Sequence, residues 1–306
     1  MDRIHEIKSI SDYNSLFGLE TLHPLISVVN YLEGVRPTHI KETKMKMGFY
    51  YIGLKEGKVG SIRYGRNYYD YQEGTLVFFG PDQIFELSEE AKNSPPSKGF
   101  ALIFHPDLLI GTQLHDKMNK YHFFSYEVNE ALHLSDKEKK TILDCFDNIK
   151  IELRNGIDKH SGTLLVNHIE LLLNYCIRFY ERQFITRKSV NHDILSKFEK
   201  LLNDYFIGGF AIQNGLPSVK YFANNLYLSP NYLGDLMKKE TGKTPLEQIQ
   251  EKLIDLSKHE LYNPSKNISE IAFELGYKQS QHFSRFFKQQ TGVSPNEFRT
   301  IIMQNN

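Results

Sequence analysis

Between Lys278 and Gln290 the chain carries three cations and no acid. Phe283, Phe286 and Phe287 recur there at the three-to-four spacing of a buried helical stripe. The opposite side of that helix then presents Gln279, Ser280, Gln281, Ser284, Arg285 and Lys288, with Lys278 just ahead. These are the side chains that match base edges. An arginine bonds guanine O6 and N7 together, and a glutamine pairs with adenine N6 and N7. The plain alternative for Arg285 is a solvated surface charge.

A weaker version of this surface stands about 50 residues earlier. Ser229-Pro230 opens a helix with Leu233, Leu236 and Met237 as its core face. Its exposed face is expected to carry Asn231, Tyr232, Gly234, Asp235 and Lys238, followed by Lys239. Asp235 can accept from cytosine N4 but repels phosphate, so this helix reads bases weakly or with a narrow preference. Lys238, Lys239, Lys243 and the amides at the helix starts near Thr244 and Ser294 are candidates for phosphate contact. For each lysine alone, ordinary solubility explains it nearly as well.

The elements that must position these residues form a repeat. Val219–Leu226 and Ile268–Leu275 match at an offset of 49, and Leu233–Pro245 and Phe283–Pro295 match at 50. Each copy reads as a helix, a tight turn and a second helix, over 218–241 and 268–291. That unit can lay its second helix in the DNA major groove, and two copies suggest two successive grooves. Between them a helix is expected over 245–262, with Thr244 and Glu247 as a capping box and Pro245 at its first position. Ser294 and Glu297 repeat the box after the second copy.

The front of the chain has a different texture. From about 24 to 105, short aromatic and β-branched runs bounded by Gly or Pro predict strands of a sandwich or small barrel. Helices take over across 107–181. Ser135-Asp-Lys-Glu138 opens one that runs to about Arg154, and a second spans 159–180 with a broad apolar stripe that leaves room for a second subunit. The basic stretch 184–192 reads as a linker, which divides the chain into 1–183 and 193–306.

Tyr50, Tyr51, Tyr64, Tyr68, Tyr69, Tyr71, Phe78 and Phe79 crowd one stretch of the front domain, with Arg63 and Arg66 among them. Tyr50, Arg63, Tyr64, Arg66 and Tyr69 could stack and charge-pair a sugar or an acidic aromatic metabolite. Equally, such aromatics are the core and rim of a barrel. No His-x-His occurs, and His105, His115 and His122 are scattered, so neither a metal nor another cofactor is expected. Cys145 and Cys176 fit buried thiols in a reducing compartment.

Bulk numbers constrain the reading. The chain has 306 residues and a formal net charge of zero, and residues 191–306 carry 13 Lys and Arg against 12 Asp and Glu. A strong general field for nucleic acid is thereby excluded, so affinity must come from local clustering. With no apolar leader and no run long enough to span a bilayer, the protein is expected to be cytoplasmic.

The stretch Ile268-Ser-Glu-Ile-Ala-Phe-Glu-Leu-Gly-Tyr277, followed by His282-Phe-Ser-Arg-Phe-Phe-Lys288, Thr291-Gly292 and Ser294-Pro295, resembles the arabinose-operon regulator (AraC/XylS-type) family. The resemblance to its DNA-binding domain covers 193–300. Tyr69–Phe79 and Phe104–Asp107 resemble segments of the family's front domain. It implies an α+β protein: a cupin-like barrel with a helical hairpin, then an all-α double helix-turn-helix. It further implies double-stranded DNA as partner, a homodimer through helices around 159–180, an effector or partner at the front domain, RNA polymerase contact in an activator, and no enzymatic activity. A cupin-type enzyme fused to a DNA-binding tail, or a regulator controlled only by protein contacts, are the alternatives.

Overall fold

The run Thr75-Leu-Val-Phe-Phe79 is buried at every position. A strand can be apolar throughout only when both faces of its sheet are covered, and this requirement organises the front unit. The computed structural model describes residues 4–34, 44–56, 62–64, 67–69, 74–87, 98–126, 130–186 and 188–304. It divides the chain into two units after Thr186.

In the front unit, β1 (Ile4–Ile7), β3 (Lys44–Met47), β8 (Ile84–Leu87), β5 (Ile62–Tyr64) and β6 (Asn67–Tyr69) form one sheet in that order. The second sheet runs β10 (Leu132–His133), β7 (Thr75–Phe79), β4 (Tyr50–Glu56), β9 (Lys98–Phe104) and β2 (Ile26–Asn30). β1 and β3 are parallel, and the other pairs are antiparallel. Met45, Met47, Val77, Phe79, Ala101 and Ile103 share a core with Ile10 and Tyr13 of α1 (Ile10–Leu16). On the other face of the second sheet, Phe78 packs on Phe123, Phe124 and Tyr180.

Of the sandwich or small barrel expected over 24–105, the described strands form two sheets, neither closed on itself. β1 precedes that span and β10 follows it, each at one edge of its sheet.

After α2 (Gln113–Lys117) come two long helices, α3 (Asp136–Arg154) and α4 (Ser161–Thr186), packed against each other. Ser135 and Glu138 form the capping box. Arg182 of α4 then donates to both Glu138 oxygens, at 3.0 and 2.7 Å, tying the helices together. Burial pushes the Cys145 thiol up to about 11 and Cys176 well above the ordinary range, so both are held as inert thiols.

The second unit is helical: α5 (Lys188–Ile207), α6 (Phe210–Asn214), α7 (Val219–Asn225), α8 (Pro230–Thr241), α9 (Pro245–Leu261), α10 (Ile268–Glu274), α11 (Ser280–Thr291) and α12 (Pro295–Gln304). Residues 184–192, expected as a linker, lie in the end of α4 and the start of α5, apart from Arg187, which is outside the described residues. Their composition hid this because a polar residue fills a buried position. Asn191 is enclosed, and its amide donates to Glu240 at 2.8 Å.

Candidate nucleic-acid interface

Two copies of one local design present the reading helices. In the second, Asn267 and Glu270 form a capping box that starts α10. The chain then turns through Gly276 at φ +93°, with the Tyr277 N–H donating to the Ala272 carbonyl at 2.9 Å. In the first copy the Leu228 N–H reaches the Ala223 carbonyl at the same 2.9 Å. Both alanines are buried, since a larger side chain there would separate the helices the turn brings together. The place of Gly276 is taken by Tyr227, also left-handed at φ +59°.

On α11, Phe283 and Phe287 are fully buried, and Phe287 packs on Phe298 of α12. Phe286 is half-buried rather than core, because it lies on the flank of the stripe, its ring 6.0 Å from that of Tyr277. Gln279, Gln281, Arg285 and Lys288 are exposed, and Ser280 and Ser284 half-exposed. Gln279 precedes the helix without capping it. His282, on the same helix, is also exposed.

On α8, Leu233, Leu236 and Met237 are fully buried, and Asn231, Lys238 and Lys239 are exposed. Tyr232 is buried, not exposed as the sequence suggested. It adjoins Leu233 in the first turn, where its N–H is held by the Ser229 hydroxyl at 3.1 Å, and the buried stripe of α8 is one residue wider there. Gly234 and Asp235 are half-exposed. A Cβ placed on Gly234 would meet nothing within 4 Å, so the reading face of α8 is bare at that point.

The two recognition helices end alike. Gly242 and Gly292 are left-handed, and their N–H groups close on the Lys238 and Lys288 carbonyls. The Thr241 and Thr291 hydroxyls donate to the Met237 and Phe287 carbonyls, each at 2.8 Å. The Thr244 and Ser294 N–H groups donate to Glu247 and Glu297 at 2.6 and 2.7 Å. At these helix starts, candidates for phosphate contact, the N-cap N–H is thus taken by a carboxylate. Lys243 is likewise engaged by Glu251 at 2.7 Å. Lys238 and Lys239 remain as phosphate candidates beside α8. α9 packs against α8, α10, α11 and α12.

The front-domain candidates fall on both sheets. Tyr50 lies in β4, half-buried, stacked on Phe104 with ring centres 4.9 Å apart and edge-on to Phe124 at 4.8 Å. Arg63, Tyr64 and Tyr69 belong to β5 and β6 of the other sheet, where Arg63 is in register with Tyr68 and Tyr64 with Asn67. Arg66 lies outside the described residues. Among the described residues no three His, Cys, Asp or Glu side chains cluster as metal ligands.

The second unit therefore has the fold of a tandem helix-turn-helix domain, and comparison with known proteins agrees. Residues 222–301 match the family model described as a helix-turn-helix domain, and the C-terminal unit is a domain of the AraC type. The YesN protein of Bacillus subtilis (strain 168), described as an uncharacterized transcriptional regulatory protein, is 33% identical over 109 residues, which are 35% of this chain and 28% of that protein. The Msm operon regulatory protein of Streptococcus mutans serotype c is 36% identical over 87 residues, 28% of this chain and 31% of that protein. The matched stretch thus spans under a third of either relative. A solved transcriptional regulator from Chromobacterium violaceum, described by its AraC-type DNA-binding domain, is 21% identical with a TM-score of 0.30, covering 37% of this chain and 94% of that one.

Proposed function

We propose that this protein is a sequence-specific, DNA-binding transcription regulator whose helices α8 and α11 enter successive major grooves of one duplex. The observation that carries this reading is the face of α11: Gln281, Arg285 and Lys288 stand exposed opposite the buried Phe283 and Phe287. Side chains able to bond base edges therefore project from a helix anchored by its other side. α11 is the stronger reader. α8 contributes Asn231 and backbone contacts from Lys238 and Lys239, with Asp235 restricting the bases it accepts.

The front unit, cupin-like in its succession of strands and helices, regulates and dimerises. Leu164 and Leu171 of α4 are exposed at 42% and 46%, and half-buried His168 and Tyr175 share their side of the helix. That spacing makes an apolar seam suited to a second copy. Control is exerted by an effector or a partner at the front unit. In an activator, RNA polymerase is the further partner, and the reading places the protein in the cytoplasm. Among the described residues no helix is long and apolar enough to cross a membrane.

Selection of bound fragments from genomic DNA, followed by anisotropy titration on one selected site and a scrambled copy, tests the central reading. Preference for the selected site is expected. Equal affinity for both refutes sequence-specific recognition. A thermal-shift panel of metabolites separates effector control from control by contacts.

A further inference from the structure

The second helix-turn-helix unit is held at two places. One is α9, which packs on elements of both units. The other is a contact of backbone on backbone. Gly276, in the turn of the second unit, stands so close to Gly215 that a Cβ on it would lie 2.7 Å from the Gly215 carbonyl carbon, 2.9 Å from its oxygen and 3.0 Å from the Leu216 nitrogen. Only glycine supplies both that approach and φ +93°. Gly215 is itself left-handed at φ +81°, and its N–H closes α6 on the Ala211 carbonyl at 2.9 Å.

The Gly215 carbonyl is also held from α5. It accepts the Tyr205 hydroxyl at 3.0 Å. The Tyr205 ring lies edge-on to Tyr221, with centres 5.0 Å apart, and 6.2 Å from Phe222. Both of those residues belong to α7, the first helix of the first unit. A continuous path thus runs from α7 through Tyr205 and Gly215 to Gly276 and on to α11. A body attached at one place can rock, whereas a second attachment fixes its orientation.

We infer that the Gly215–Gly276 joint, locked by Tyr205, sets the position of α11 relative to α8 and so the number of base pairs accepted between their subsites. Gly276 and Tyr205 are positioning residues, remote from the polar face of α11. The inference rests on the proposed reading that both helices engage one duplex.

The full-length protein is titrated by anisotropy against a selected site and against copies with one base pair inserted or removed between subsites. The wild type should prefer the native spacing. Gly276→Ala puts a methyl group against backbone, which must be relieved by moving the turn. It should weaken native-site binding by roughly 10–100-fold, part of the gain from linking two modules, while binding the altered spacings as well as the native one. Tyr205→Phe keeps the ring and removes only the hydroxyl, so it carries the test if the alanine variant does not fold. It should show the same loss of spacing preference to a smaller degree. A folded variant that keeps the wild-type preference, or weakens on every spacing by one common factor, overturns the inference. A wild type indifferent to spacing overturns the tandem reading instead, and is recognised before any variant is made.

Discussion

Tyr227 is the sharpest local conflict in the repeat. It holds φ +59° in the turn where the second copy has Gly276. A left-handed conformation costs a residue with a Cβ about 1–2 kcal/mol. Glycine removes that cost but loses about 0.5–1 kcal/mol through its greater freedom when unfolded. Tyr227 is 69% exposed, so little burial is lost with its ring. Tyr227→Gly should therefore stabilise the C-terminal unit by about 0.5–1 kcal/mol, or roughly 2–5 °C in its melting transition. Tyr227→Ala is the control. It keeps the backbone cost, discards the ring, and should fall about 1 kcal/mol below the glycine variant. Calorimetry of the full chain, supported by helical circular dichroism, measures both. A glycine variant no more stable than the alanine variant would refute the argument, because the turn would then not be strained by its Cβ. A glycine variant less stable than wild type would show that ring contacts outweigh the strain.

Other consequences are open to test. Arg285→Ala should cost roughly 1–3 kcal/mol of binding and relax selectivity at one base position; equal losses on selected and scrambled DNA would move Arg285 to a phosphate contact, and unchanged binding would remove it from the interface. Leu171→Glu places a charge in the exposed seam of α4 and should turn a dimer into a monomer in light scattering, while a wild type monomeric at micromolar concentration ends the dimer proposal. The Thr244 backbone N–H and then its hydroxyl hold Glu247 below the usual carboxylate range, as Ser294 does Glu297. Because both folded values are lowered, the stability they contribute is present above the unfolded value of about 4.3 and is lost as pH falls through the folded values. A Glu247→Gln, Glu297→Gln protein should melt lower than wild type at neutral pH, and the difference should shrink below about pH 4. A constant difference across the titration would detach these boxes from acid sensitivity.

Helices were legible where capping chemistry and apolar period agreed. Ser135 with Glu138, Thr244 with Glu247 and Ser294 with Glu297 all make their reciprocal bonds. The aromatic cluster divides for a reason that strands impose. Tyr50 and Tyr51 are neighbours in sequence but point to opposite faces of β4. Tyr50 stacks on Phe104, while Tyr51 packs with Phe79 and shares a hydrogen bond with Tyr31. Density in sequence was thus divided between two layers. α1 went unread, although Ser9 and Asp12 form its capping box, because Asp stood where the pattern calls for Glu or Gln. The left-handed Tyr227 and the meeting of Gly215 with Gly276 could not be read locally. One defies its residue type, and the other joins positions whose proximity only the folded unit creates.

The near-neutral C-terminal unit has a consequence for how it would hold DNA in changing salt. Lys243 is spent on Glu251, and Lys266 bridges Glu260 and Glu274 at 2.6 Å each. The cations left on or beside the two recognition helices are Lys238, Lys239, Lys278, Arg285 and Lys288. If all of them displaced condensed counterions, log K against log salt would fall with a slope of about −4.5 per subunit. A fourfold rise in salt would then weaken the grip of one subunit by about 500-fold, and two subunits together would reach a slope of about −9. Because these five cations lie on or beside the two recognition helices, the electrostatic part of binding would be supplied by the same surface that meets the bases, and a single charge reversal there would be felt in the salt slope.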